Sequence, residues 1–205
     1  MSVVTNSTQA EQAGEATPGA RPGKRERLVT AASELIYHHG VAHTTLADIG
    51  QAAGVLVGNL YYYFKTKDDI IAAVMQAHRE QLASTLADLE RRHRSPKARL
   101  KALVDLLAER ADATAQHGCP YGTLSSELAK QTEGSDPLAA QLMQTMLDWA
   151  EQQFRATGQR DAHDLAVELV ASYEGTAVLT NTLGQPELMT RQARRLKKWI
   201  DALHA

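Results

Sequence analysis

The chain has 205 residues and a mass of 22.4 kDa, enough for one mid-sized domain or a small domain joined to a larger one. Hydrophobic residues make up 43% and charged residues 22%, close to globular averages, which excludes a largely disordered chain. The formal net charge is −2, and that balance taken alone argues against a nucleic-acid partner.

Cys119 is the only cysteine in the sequence, which excludes an intramolecular disulfide framework and fits a reducing compartment. Residues 1–22 are small and polar, without a basic start or an apolar stretch, so we expect a disordered tail rather than a signal peptide. No apolar run approaches the roughly 18 residues that a membrane span requires. These features predict a cytoplasmic protein.

The spacing of apolar residues predicts an all-α fold, because they recur every three or four positions and β-branched runs are missing. Short helices are expected between Lys24 and Phe64. The longer helices are expected at Lys67–Arg92, Pro96–Gln116, Gly122–Gln131, Pro137–Thr157, Asp161–Leu183 and Pro186–Leu203. Starts are expected where a capping residue precedes a proline, at Ser95-Pro96, Asp136-Pro137 and Gln185-Pro186. Stops are expected at Gly40, Gly118, Gly158 and Gly184.

Residues 23–67 are predicted to form three helices of a helix-turn-helix domain. Thr45, with Asp48 three residues later, matches a capping-box start for the second helix. Gly54 interrupts the apolar pattern, and Leu60 and Phe64 then mark the inner face of a third helix. A helix, a tight glycine turn and another helix are the layout of this DNA-binding motif.

The third of these helices has the properties of one that enters a DNA groove. Its start, Gly58-Asn59, is slim enough for a major groove about 12 Å wide. The next residues, Tyr61–Tyr63, point in three directions, so at least two must be partly exposed. Lys65 and Lys67 follow, and phenols and ammonium groups both suit phosphate oxygens. The alternative is a tyrosine cluster that closes a small core beside solvated lysines.

This region resembles the DNA-binding domain of the TetR family of one-component transcriptional regulators. The matching residues are Thr44-Thr45, Ile49, Ala53-Gly54-Val55, Gly58, Leu60-Tyr61, Tyr63-Phe64 and Lys67. The resemblance implies a dimer in which each subunit places its third helix in the major groove and a separate helical domain binds a small effector. The DNA-contacting residues that it implies are Thr45, Gly58, Asn59, Tyr61, Tyr62, Tyr63 and Lys67.

The chain departs from many relatives just before the third helix. Leu56 and Val57 stand where a serine cap and a basic or polar residue are common, so the third helix is expected to lack a side-chain cap. Charge is also uneven along the chain. Residues 21–67 carry six basic and three acidic residues, a net charge of about +3 that the acidic remainder hides.

Residues 68–205 are predicted to form a larger effector-binding and dimerisation domain. The candidate effector contacts are Leu107, Cys119, Tyr121, Met143, Met146, Trp149 and Tyr173, with ordinary core packing as the alternative. The last two helices are expected to form an isologous four-helix interface. The candidate dimerisation residues are Leu169, Thr176, Thr180, Leu196 and Trp199, and closure of the monomer core is the alternative.

Cys119 precedes Pro120, so its thiol is expected at a helix N-terminus, which lowers a thiol pKa. A redox or electrophile sensor follows as a hypothesis beside the plainer one of a small buried hydrophobe. An enzyme is not expected, because neither Cys119 with His117 nor Ser125-Ser126 with Glu127 has the geometry of a nucleophile and its base. The histidines at 38, 39 and 43 have no carboxylate or thiolate beside them to complete a metal site, and no cofactor is expected.

The sequence therefore predicts a DNA-binding transcriptional regulator, with repression the expected sign. It would bind a palindromic operator as a homodimer and leave it when a small-molecule effector binds. Two alternatives stay open at this point. One is a helical interaction protein that keeps the helix-turn-helix without using it on DNA, and the other is a regulator that senses oxidants or electrophiles through Cys119.

Overall fold

A computed structural model of the protein describes residues 22–131 and 137–203. Within those two ranges the chain forms ten helices and no strand, which confirms the all-α fold. The helices are α1 Lys24–His39, α2 Leu46–Ala52, α3 Val57–Tyr63, α4 Lys67–Arg92, α5 Pro96–Glu109, α6 Ala111–His117, α7 Gly122–Gln131, α8 Pro137–Ala156, α9 Ala162–Leu183 and α10 Glu187–Ala202. Nearly all of the predicted tail and the capping candidate Asp136 lie outside the described residues.

Helices α1, α2 and α3 form an N-terminal unit around a small apolar centre. Leu28, Ile49 and Leu60, one from each helix, are fully buried there. The capping box at the start of α2 is confirmed: the Asp48 N–H donates to Thr45 Oγ1 at 3.2 Å, and Asp48 Oδ2 accepts from the Thr45 N–H at 3.0 Å. These two bonds satisfy donors that a helix start leaves unpaired.

Two glycines fix the tight turn between α2 and α3. Gly54 has φ +62°, a left-handed conformation that favours glycine. The Val55 N–H donates to the Gly50 carbonyl at 2.9 Å, and a Cβ on Gly50 would lie 3.0 Å from the Val55 carbonyl oxygen. The close approach of these two segments sets the angle at which α3 leaves α2. As expected, no side chain caps α3.

Helix α4 connects the N-terminal unit to the C-terminal bundle, the name used below for α5–α10. It begins at a second capping box, which sequence reasoning missed, in which Thr66 Oγ1 accepts from the Asp69 N–H at 3.1 Å. Its buried residues Ile70 and Val74 belong to the same apolar cluster as Leu28 and Leu60. The two parts of the protein therefore share one continuous core.

The single helix expected at Pro96–Gln116 is two helices in the structure. The chain breaks at Arg110, whose φ of −91° and ψ of 12° are not helical. Helix α5 packs against α8 and α10, whereas α6 packs mainly against α9. One straight helix cannot serve both sets of partners, so tertiary packing overrides the helical pattern of the sequence. The predicted cap at Ser95 is confirmed, with its side chain accepting from the Ala98 N–H.

Helices α8, α9 and α10 form the centre of the C-terminal bundle. Phe154 is fully buried, and its ring lies edge-on to the ring of Trp199 with centroids 5.7 Å apart. Helix α10 begins at Glu187, one residue after the position expected from Pro186, and ends at Ala202. None of the helices described is both long enough and apolar enough to cross a membrane.

Candidate DNA-contacting surface and effector sites

The large hydrophobic side chains that the described residues expose lie on only two parts of the fold. Five of them belong to α3 or to the residue that precedes it: Leu56, Val57, Tyr61, Tyr62 and Tyr63. The other four lie on α9: Val167, Val178, Leu179 and Leu183. Exposed apolar groups concentrated in this way mark surfaces that meet a partner.

The start of α3 presents a slim, open surface to solvent. Gly58 and Asn59 are exposed, and a Cβ on Gly58 would have no other atom within 4 Å. Leu56 is 79% exposed and Tyr62 77% exposed, whereas Tyr61 and Tyr63 are partly covered. The Tyr62 and Tyr63 rings meet edge to face at 5.1 Å, which orders both side chains without a core around them. The alternative of tyrosines closing a small core is therefore wrong for Tyr62.

The two lysines after α3 bind backbone carbonyls of their own chain. Lys65 Nζ donates to the Tyr61 carbonyl oxygen at 2.8 Å, at the end of α3. Lys67 Nζ donates to the carbonyl oxygen of Val41, in the loop between α1 and α2. An ammonium group has three N–H donors, so each lysine keeps donors for phosphate oxygens. The anchoring role of both lysines was not foreseen from the sequence.

Three of the predicted effector contacts line an enclosed apolar cavity between α5, α8, α9 and α10. These are Leu107, Met146 and Tyr173. The free volume of this cavity is only about 20 Å³, which leaves room for one or two water molecules. The cavity is therefore almost closed by its own side chains, and it admits an effector only if the helices around it separate.

Two other predicted contacts, Cys119 and Met143, line an open groove between α7, α8 and α9. The free volume of this groove is about 520 Å³, which is within the size range of small-molecule sites. Its wall includes the Glu174 carboxylate and the buried Ser125 hydroxyl, which has no hydrogen-bond partner. No base contacts the Ser125 hydroxyl, so this serine is not arranged as an activated nucleophile.

The remaining two predicted contacts line neither the cavity nor the groove. Trp149 is buried in the core, where its Nε1–H donates to Glu90 Oε1 at 2.9 Å. The ring of Tyr121 lies edge-on to His78 with centroids 5.5 Å apart. The alternative of ordinary core packing therefore describes Trp149.

The Cys119 thiol lies at a helix N-terminus as expected, but its surroundings reverse the expected reactivity. The Gly122 N–H donates to Sγ at 3.3 Å, and Sγ donates to Glu174 Oε1 at 3.2 Å. Burial raises the pKa of the Cys119 thiol to about 12, and the nearby Glu174 carboxylate acts in the same direction. A low-pKa sensor thiol is thus the wrong interpretation, because loss of hydration outweighs the helix terminus.

Three of the five residues predicted to form the dimer interface are buried inside the subunit, and the other two are partly covered by it. Leu169 and Leu196 are buried, Thr180 is fully buried, and Thr176 lines the enclosed cavity. Trp199 is half-buried against Phe154. The stripe chosen from the sequence is the inward face of α9. Val167, Val178 and Leu179 project from other sides of the helix, and Leu183 is exposed at its C-terminal end. Helix α9 is apolar on both sides, so periodicity alone did not distinguish them.

Glu127, considered from the sequence only as a polar anchor for a ligand or as a partner of Ser125-Ser126, makes a contact that the sequence did not predict. Its Oε2 accepts the Val41 N–H at 2.7 Å, which joins α7 to the loop between α1 and α2. Nearby, the Tyr37 hydroxyl lies 3.2 Å from the Gly118 carbonyl oxygen. A single glutamate on a helix gives no local sign of such a contact in the sequence. The one related feature is Gly40, where a Cβ would collide with the Glu127 carboxylate.

Two family profiles match this chain. The profile described as "Bacterial regulatory proteins, tetR family" matches residues 28–74, which include α2 and α3. The profile described as "Transcriptional regulator LmrA/YxaF-like, C-terminal domain" matches residues 96–195. Together they cover both the N-terminal unit and most of the C-terminal bundle.

Curated relatives and solved structures agree with these profiles. An uncharacterised HTH-type regulator of Lactococcus lactis is 32% identical over 53% of this chain and 57% of its own length. The HTH-type transcriptional repressor KstR2 of Rhodococcus jostii is 30% identical over 46% of each chain. The chain thus spans about half the length of these relatives. A TetR regulator structure from Legionella pneumophila shares the fold with a TM-score of 0.77, at 20% identity over 88% of this chain and 97% of that one.

We expect the Cys119 thiol to react with iodoacetamide more slowly than free cysteine at neutral pH, because its raised pKa leaves almost no thiolate. Intact-mass measurement over time gives the rate. The control is the same protein unfolded in guanidinium chloride, in which labelling should reach the rate of free cysteine. A native thiol that reacts as fast as free cysteine would show that its burial is not maintained in solution.

Proposed function

Because this chain belongs to the TetR family of bacterial transcriptional regulators, we propose that it binds a palindromic operator as a homodimer. We further propose that it acts as a repressor and that a small molecule releases it from DNA. The observation that carries the DNA-binding part is the concentration of exposed apolar and aromatic groups on α3, beside slim residues that leave room for a groove.

The chemistry of α3 assigns different roles to its residues. Leu56 and Val57 offer apolar surface of the kind that packs against a thymine methyl group. Tyr62, the most exposed of the three tyrosines of α3, is placed by this proposal in the major groove of the DNA. Tyr61, Tyr63 and Lys67 then contact phosphates, which fix register without reading sequence. Thr45 caps α2 and presents that helix start to the DNA backbone.

We expect Tyr63→Ala to weaken binding to every duplex by about fivefold, because one phosphate hydrogen bond is lost. Tyr62→Ala should weaken binding to a selected operator by about tenfold and to random duplex much less, because this side chain contacts bases in the major groove of the DNA. A shift assay at low salt, with an operator selected from a random library, measures both.

The exposed Gln144→Ala variant on α8 is the control and should bind like the wild type. Absence of any shift with the wild type, or indifference of binding to both tyrosine variants, would favour the helical interaction protein instead.

The homodimer is supported by the outward face of α9. Val178, Leu179 and Leu183 are each more than half exposed. A Cβ on Gly175, one turn before, would have no other atom within 4 Å, so another helix can approach closely there. An isologous interface pairs the same face of two subunits. Two copies of α9 packed along this face would cover the second group of exposed hydrophobic side chains.

The Leu179→Glu substitution, which lies outside the wall of the open groove, should convert the dimer to monomer and raise its dissociation constant by at least about tenfold, because it places two carboxylates in an apolar interface. Sedimentation velocity at micromolar concentration measures the change. Leu56→Glu, at an even more exposed apolar site just before α3, is the matched control and should leave the dimer intact. A wild type that sediments only as monomer would contradict the homodimer.

The effector site is placed by this proposal in the open groove rather than in the enclosed cavity. The groove already has the volume of a small-molecule site, and its wall combines the apolar Met143 with the Glu174 carboxylate and the exposed Ser126. Apolar walls with a few polar groups are typical of such sites. The cavity has too little room in this conformation.

The neutral dye Nile red serves as a probe of the groove. We expect its fluorescence to rise on binding to the wild type and Ser126→Trp to weaken that binding at least about fivefold, because the indole would occupy the groove. Ala129→Trp, exposed on the same helix but outside the groove wall, is the control and should bind like the wild type. Equal binding by both variants would place the site elsewhere.

A further inference from the structure

The loop between α1 and α2 is held by charged groups from two other helices. The Val41 N–H donates to Glu127 Oε2 on α7 at 2.7 Å, and the Val41 carbonyl oxygen accepts from Lys67 Nζ on α4. Val41 itself is only 2% exposed. Its backbone N–H and C=O groups are thus each bound by a side chain that lies outside the loop. Hydrogen bonds to charged groups are stronger than those between neutral groups.

Gly40 leaves room for this contact. It has φ +79°, and a Cβ at this position would lie 2.9 Å from Glu127 Oε1. The glycine therefore ends α1 and at the same time admits the carboxylate against the backbone. Five residues after Gly40, the loop reaches Thr45, the cap of α2. A restraint on the backbone of Val41 therefore acts on the chain just before α2 and α3 begin.

Glu127 also belongs to the wall of the open groove, together with Cys119 and Met143. The same carboxylate is therefore shared between the groove and the N-terminal unit. Other contacts tie the end of α1 to the segment between α6 and α7. The Tyr37 hydroxyl lies 3.2 Å from the Gly118 carbonyl oxygen, and His38 Nδ1 lies 3.1 Å from His117 Nε2. Gly118 and Glu127 both line the groove, but of these contacts only the one made by Glu127 binds the loop that leads to α2.

We propose that Glu127 is a positioning residue that couples the groove to the DNA-contacting helix. Its carboxylate fixes Val41 and thereby the orientation of α2 and α3. A molecule in the groove that takes the carboxylate's hydrogen bond, or shifts α7, frees Val41 and loosens the N-terminal unit. This inference rests on the proposed function, because it concerns how the groove acts on DNA binding.

The test compares full-length wild type with Glu127→Ala, Glu127→Asp, Glu127→Gln and the control Glu109→Ala. The alanine variant removes the carboxylate that accepts from the Val41 N–H. The aspartate variant keeps the charge, but its shorter side chain moves the carboxylate away from Val41. Glutamine keeps an acceptor oxygen at the same reach. Glu109 is an exposed carboxylate at the end of α5 and makes no contact with the loop. Circular dichroism melting confirms that each variant folds, and the milder aspartate variant serves if the alanine variant does not.

Hydrogen exchange of the peptide covering residues 40–45 reports the contact itself. We expect exchange about tenfold faster in the alanine and aspartate variants than in the wild type. The Glu109→Ala variant should match the wild type, and the glutamine variant, whose neutral oxygen accepts a weaker bond, should exchange at a rate between those of the wild type and the alanine variant. Peptides from the centre of α8 should exchange alike in all five proteins, which separates loss of positioning from general destabilisation.

DNA binding reports the consequence. An operator requires both α3 helices at a fixed separation, whereas random duplex does not. We therefore expect Glu127→Ala to lower affinity for a selected operator about tenfold while affinity for random duplex changes less than twofold. Glu127→Gln should restore operator binding.

Two failures are distinguishable. A wild type that binds no duplex overturns the proposed function and this inference with it. A wild type that binds its operator, beside a Glu127→Ala variant with the same exchange at residues 40–45 or the same operator affinity, overturns this inference alone.

Discussion

One continuous apolar core is the constraint on which the rest of this structure depends. The helices α2 and α3 have seven residues each, too few to bury a core of their own. Leu60 on α3 therefore packs into the cluster that continues through Ile70 and Val74 on α4 into the C-terminal bundle. Because the small apolar centre of the N-terminal unit continues into α4, the orientation of the unit follows α4. Polar contacts from α6 and α7 then refine that orientation.

The elements that could be predicted from the sequence are those whose causes are local. Thr45 and Asp48 are close in sequence and cap α2 by bonds between themselves, so the capping box is visible without a tertiary structure. Positive φ at Gly40 and Gly184 likewise follows from the chain ending a helix. The break at Arg110 has no such cause. It arises because α5 and α6 pack on different neighbours, and no glycine or proline marks that choice.

The candidate sites were harder to predict because their properties depend on what surrounds each residue. Cys119 does stand at a helix N-terminus, yet burial beside Glu174 raises its pKa instead of lowering it. A helix terminus contributes a partial charge, whereas burial removes the hydration of a full thiolate charge, and the second effect is larger. The outward face of α9 was missed for a related reason. Both sides of that helix are apolar, and only the folded bundle shows which side stays uncovered.

The sizes of the interactions indicate where a small molecule can act on this fold. Separating the N-terminal unit from α4 would expose several fully buried side chains, each worth roughly 1.5–3 kcal/mol. That total exceeds the 1–3 kcal/mol or so that typically couples two sites in a protein. The bond from the Val41 N–H to the Glu127 carboxylate belongs to a class worth about 1.5–3 kcal/mol. A ligand can therefore break this contact while the apolar core stays intact, which is the coupling proposed for Glu127.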